Sequence, residues 1–205
     1  IANAVPTSGG TFTGAVTVQG NFSADGGTIK LDGNYPVNAN NVALGDLTLN
    51  AVTSSEGSTA VGSNALASVT SGIRNTALGN YSLNQTTTGA YNVAIGNRAL
   101  NDQTTGGNNV AVGYDALGSN TTASNNTAVG YSALLANTEG FSNTAFGSRA
   151  GLAITTGDYN ISVGTYALAT ETTGNKSVAI GHGALYTQNS TSSADMFNTA
   201  VGYAA

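Results

Sequence analysis

Asn126-Thr-Ala-Val-Gly-Tyr-Ser-Ala-Leu134 decides the architecture, because its pattern recurs along most of the chain. Its glycine, Gly130, has counterparts at Gly45, Gly62, Gly79, Gly96, Gly113, Gly147, Gly164 and Gly181, all set by steps of 17 residues. A tenth, Gly202, follows after 21. Register held over such a length is the signature of a solenoid, in which each coil covers its neighbours. The function of such a chain is to be sought in what a rod does.

Counting each coil from its glycine as zero, position −1 runs Leu44, Val61, Leu78, Ile95, Val112, Val129, Phe146, Val163, Ile180, Val201. Position −3 is Val, Ile or Thr throughout. Residues two apart share a face of a strand, and these types favour strands. Positions −4 to −1 therefore predict a short strand with −1 and −3 facing the core. The glycine predicts the turn that follows. Position −2 is alanine in nine coils and Ser162 in the other. Held to that size, it predicts a second covered face. The sharper reading is that Ala60, Ala77, Ala94, Ala111, Ala128, Ala145, Ser162 and Ala179 meet sister chains around a symmetry axis. The plainer one is that they pack under the chain's own loop.

Position +4 is leucine in eight coils, from Leu49 to Leu185, with Gly151 in the seventh. This predicts a second inward segment and a leucine column packed on the −1 and −3 residues. Position −4 is Asn in eight coils and Ser58 or Ser177 in two, which suits amides bonding coil to coil. Position +8 is threonine in eight coils, Thr53 to Thr172. Those hydroxyls read as satisfying a tight outer turn; an ice- or carbohydrate-binding ladder is the rival reading.

Residues 1–40 lack this register. Thr11–Val18 reads as strand with a turn at Gly14, and Phe22, Ile29 and Leu31 allow further short strands. The expected organisation is a small β segment and cap over 1–40 and a repeat domain over 41–205. The four extra residues before Gly202 predict a longer loop bulging from the rod over 186–197. The opening Ile1–Pro6 does not read as a secretory leader, and the repeat running to Gly202 leads us to expect more chain at both ends.

Composition bounds the chemistry. Of 205 residues, 7% are charged, well under the share usual in soluble domains, and the net charge is −5. Five scattered basic residues argue against nucleic acid as a partner. No apolar run is long enough to insert in a membrane. Cysteine is absent, so disulfides and thiolate chemistry are excluded. The one histidine, His182, sits at +1, a slot that also takes Asp46, Ser63, Asn80 and Thr165, and so reads as surface. The carboxylates form no evident pair of the kind glycoside hydrolysis needs. No catalytic residue, metal ligand or cofactor site is expected, and the chain does not read as an enzyme.

Tyr114 and Tyr131 share position +1 in adjacent coils, with Tyr203 in the same slot of the last. Stacked exposed tyrosines form a candidate sugar-binding strip. The long loop adds Tyr186, Gln188 and Asn189 as candidate binding residues.

Asn92-Val-Ala-Ile-Gly96, Asn109-Val-Ala-Val-Gly113 and Ser177-Val-Ala-Ile-Gly181 resemble the YadA-like head repeat of trimeric autotransporter adhesins. The resemblance covers residues 41–205 and implies a left-handed parallel β-roll, homotrimeric side by side. That family's repeats are usually shorter, and its coiled-coil stalk and membrane barrel have no counterpart here. The fuller Asn126–Leu134 form and Ser8-Gly-Gly-Thr-Phe-Thr-Gly14 look more like bacteriophage tail fibres. The expectation is thus an all-β, trimeric rod of a phage tail fibre, located on the virion and binding a host-surface glycan or protein receptor. A bacterial cell-surface adhesin head is the alternative.

Overall fold

The computed structural model describes residues 40–190 and 192–205. The β segment and cap expected over 1–40 lie, but for Asn40, outside them. Each coil contributes one three-residue strand: β1 Val42–Leu44, β2 Thr59–Val61, β3 Thr76–Leu78, β4 Val93–Ile95, β5 Val110–Val112, β6 Thr127–Val129, β7 Thr144–Phe146, β8 Ile161–Val163, β9 Val178–Ile180 and β10 Thr199–Val201. These are the −3 to −1 residues of the ten coils. They form one ten-stranded sheet in chain order. Pairing is parallel and in register, so Ala111 faces Ala128 and Val112 faces Val129. The expected β-solenoid is present over residues 41–205.

The faces of the strands are the reverse of the expectation. The −2 residues Ala60, Ala77, Ala94, Ala111, Ala128, Ala145 and Ala179 are fully buried within the single chain, as is Ser162 to 1% exposure. They line the inside of the coil and cannot form an axis between chains. The −1 and −3 residues stand outside, half-buried or exposed: Leu78 is 47% exposed, Phe146 57% and Ile161 40%. The reason is volume. The interior is filled from the opposite wall by the +4 leucines, which are fully buried from Leu49 to Leu134 and at Leu168. Alanines at +3, such as Ala99, Ala116 and Ala133, pack beside them. With that much side chain arriving from one wall, only a methyl group fits on the other. The leucine column is therefore real, and its partner is the alanine column.

The second wall is held by local conformation as well as packing. Each buried leucine has φ between 48° and 51°. Left-handed backbone costs a non-glycine residue about 1–3 kcal/mol, offset here by burial of the side chain and by coil-to-coil bonds. Leu117 N donates to Ala133 O at 3.0 Å, and the same bond recurs from coil to coil. In the seventh coil Gly151 takes this slot, and Ile154, fully buried, comes within 3.1 Å of where its Cβ would lie. Ile154 thus fills the space of the missing leucine.

The −4 asparagines form an internal ladder, as expected for coil-to-coil amides. Asn126 N donates to Asn109 Oδ1 at 2.9 Å, while Asn109 Nδ2 donates to Ala123 O at 2.8 Å and to Gln103 Oε1 at 2.9 Å. Asn109→Ala leaves the buried Asn126 N–H unpaired, at about 1–3 kcal/mol, while Ala123 O and Gln103 Oε1 keep a donor in Asn120 Nδ2. We expect it to destabilise the rod by about 1–3 kcal/mol in chemical denaturation.

The four-residue insertion leaves the strand register intact, since β10 still pairs Ala200 with Ala179. The loop rejoins the stack through a parallel bridge between Asn175 and Asp195. Lys176 Nζ meets Asp195 Oδ2 at 2.5 Å beside it.

Candidate functional site

The turn after each glycine sends +3 and +4 inward, so +1 and +2 project outward at one corner of the coil. Because the coils are in register, these side chains stack along the rod. Tyr114 and Tyr131 lie parallel, with ring centroids 5.5 Å apart and planes within 11°. The Arg149 guanidinium, at +2 of the next coil, is 5.5 Å from the Tyr131 ring centre and 5.5 Å from that of Tyr166. Its Nη1 donates to the Tyr166 hydroxyl. That bond comes first among the contacts that hold the guanidinium above its ordinary pKa, with Tyr131 adding to the effect. Tyr186 meets the Tyr166 ring edge-on at 6.1 Å. Farther along, His182 stacks on Tyr203 at 5.1 Å.

Three of the expected binding residues, Tyr114, Tyr131 and Tyr186, therefore belong to one strip. Arg149 and Tyr166, which join them, were not singled out in the sequence. The signal was there: Arg149 and Tyr166 share the +2 slot in adjacent coils, next to the +1 tyrosines. The stacking also changes what the strip offers. Tyr131 is held between Tyr114 and Arg149, and Arg149 also lies over Tyr166, so what these rings expose is mainly edges, hydroxyls and guanidinium N–H groups. A platform of open rings for sugar C–H groups is not what this geometry presents.

Gln188 and Asn189 are committed elsewhere. Gln188 Nε2 donates to Glu171 Oε2 and to Ser177 Oγ, both at 2.9 Å, and its Oε1 accepts from Asn198 Nδ2 at 2.7 Å. Asn189 Oδ1 accepts from Thr172 Oγ1 at 3.0 Å. Both side chains brace the long loop. Gln188 also lines an open cavity of about 860 Å³ with Tyr166, His182, Tyr186 and Tyr203. That cavity also takes in Leu185, last of the leucine column, and opens to solvent beside Tyr186 and Tyr203.

The threonine ladder is spent on the fold. Thr104 Oγ1 donates to Thr121 O at 3.1 Å, and the same bond runs from Thr53 through Thr155. Hydroxyl hydrogens tied to carbonyls are not free to order a ligand.

Glu171 is a buried group that sequence reading missed. Position +7 points inward and holds Val69, Thr86, Gln103, Asn120, Asn137, Ile154 and Glu171, all fully buried. Mixed in polar and apolar content, this column carries no hydrophobic signature in the sequence. Glu171 Oε1 accepts from the N–H groups of Thr172, Thr173, Gly174 and Ser190 at 2.8–3.1 Å. Burial pushes its carboxyl up, but the Gln188 amide and the backbone N–H groups outweigh this and hold it below its ordinary value. Among the described residues, no three His, Asp or Glu side chains gather where a metal ion would bind.

No protein-family model, curated protein or solved structure matches this chain.

Proposed function

We propose that the chain is a rod segment of a bacteriophage tail fibre, a homotrimer serving as shaft and host-attachment surface. One observation carries this reading: the outer face of the ten-stranded sheet is apolar at −1 in every coil and uncovered by its own chain. At the spacing of sheet strands the stripe is about 45 Å long. Monomeric proteins rarely leave so continuous an apolar surface in water. A parallel sheet of this kind is ordinarily covered on both faces. Copies of the same chain supply a cover in matching register, and the resemblance to adhesin heads and tail fibres sets their number at three. Contacts to a cell surface, repeated over three chains and several fibres, then reinforce one another through effective concentration.

Sedimentation equilibrium tests the assembly. The wild-type chain should run as a trimer. Val112→Arg with Val129→Arg puts two guanidinium groups on the outer face and should yield monomer, while Ala111→Arg, inside the coil, should abolish folding. A wild-type monomer, or a trimer indifferent to the valine pair, would sink the proposal. A bacterial surface adhesin head has the same geometry, and flanking sequence separates the two: a membrane barrel marks the adhesin, a virion-attachment domain the fibre.

A further inference from the structure

We propose that the corner strip binds an acidic polysaccharide, with a sugar carboxylate seated on Arg149. This rests on the attachment reading and names the ligand class for it. Three observations carry it. First, Arg149 is pre-positioned. Rings on both sides and the Tyr166 hydroxyl hold the guanidinium in place, and among the described residues it has no carboxylate partner. Arg98, in the same slot three coils earlier, is by contrast bonded to Asp115 at 2.8 Å. A planar guanidinium with free N–H groups at its edge suits a carboxylate, and ordering it beforehand reduces the entropy lost on binding. Second, the flanking groups are hydroxyls. Tyr114, Tyr131 and Tyr186 are each about half exposed, with Tyr131 held between Tyr114 and Arg149 and the hydroxyl-bearing edges open to solvent. Hydroxyls donate to and accept from sugar hydroxyls. Third, the groups fall in successive coils, so along the rod they repeat at the strand spacing of about 4.8 Å. That interval is close to the length of one pyranose unit, so an extended glycan lying along the rod meets one polar group per sugar. A protein receptor has no reason to match this period.

The charge pattern agrees. A chain with net charge −5 repels polyanions in general, so an acidic polymer must bind through a local exception. Arg149 provides one cation amid uncharged hydroxyls. This favours a glycan in which an acidic sugar sits among others, its carboxylate on Arg149 and its neighbours on Tyr131 and Tyr114 to one side and on Tyr166 and Tyr186 to the other.

Affinity electrophoresis of the full chain in gels containing polygalacturonate, dextran or dextran sulfate tests this. We expect retardation by polygalacturonate and none by dextran. Arg149→Gln should weaken polygalacturonate binding at least tenfold and Tyr131→Phe about two- to threefold. Arg98→Gln, which removes the same charge from a paired site, should leave it unchanged. Absence of polygalacturonate binding overturns the proposal, as does binding that Arg149→Gln leaves intact. So does equal loss in Arg98→Gln, or tighter binding of dextran sulfate, since either means unspecific attraction between charges. Sedimentation of the same samples separates the two claims. A trimer that fails to bind removes only the ligand, whereas a wild-type monomer removes the fibre.

Discussion

Gly113→Ala should lower the stability of the rod by about 3–5 kcal/mol, read as a drop in the denaturant midpoint. Two costs combine. A Cβ on Gly113 would lie 2.4 Å from Gly130 O and 2.7 Å from Gly130 C, which are backbone atoms of the next coil and cannot turn aside. Forced overpacking of this kind costs about 1–3 kcal/mol. The residue also has φ of +139°, a conformation left to glycine, at about 1–3 kcal/mol more. All ten glycines of this column have φ between 127° and 143°, so the defect propagates to neighbours in the stack. Gly183→Ala is the matched control. Its φ of +64° is also left-handed, but a Cβ there meets nothing nearer than 3.9 Å. Other coils place Leu47, Tyr81 and Tyr166 in that slot with similar φ. About 1–2 kcal/mol is expected for it, from the backbone alone. Equal effects of the two substitutions would contradict the close-approach account.

Glu171→Ala should open the last two coils. It leaves the N–H groups of Thr172, Thr173, Gly174 and Ser190 without their acceptor. The Gly174 donor is buried and the other three part-buried; an unpaired buried donor costs about 1–3 kcal/mol, and a loss of about 3 kcal/mol is expected over the four. The effect is local because a solenoid transmits stability only between adjacent coils. Hydrogen exchange should therefore accelerate at residues 172–174 and beyond, while the amides of coils three to six keep their protection. Acid reproduces this in the wild type. The folded carboxyl titrates below its ordinary value of 4.5. Its contribution is complete above that pH and declines as pH falls through the folded pKa. Asp195 beside Lys176 is also held below its ordinary value, first by their hydrogen bond. It is exposed, so it adds little to the same acid limb. Glu171→Gln should flatten the pH dependence of exchange at the long loop between pH 6 and pH 3. An unchanged slope in that variant would assign the acid response to other groups.

The candidate site was legible in part. Tyr114 and Tyr131 were found because they recur in one slot, and recurrence in a solenoid is adjacency in space. Tyr186 lies outside the regular register, and only the path of the long loop brings it to Tyr166. Gln188 was misjudged because a polar residue in a longer loop reads as surface, whereas its amide turns back to Glu171, Ser177 and Asn198. Glu171 was overlooked for a related reason. Its slot alternates valine, threonine, amides and isoleucine, and a column so mixed has no hydrophobic signature.

The 17-residue period by itself determined that parallel strands stack in register, that glycine follows each strand, and that leucines and asparagines run in columns. A fixed period leaves a chain no other way to bring like residues together. Which face of the strand turns inward was decided only by the closed coil. Alternation with period two is unchanged by inside–outside exchange when both faces are apolar. The matter turns on how much volume the opposite wall delivers: with a leucine arriving from that wall in nearly every coil, alanine is the side chain the interior can accept, and the larger residues are left outside.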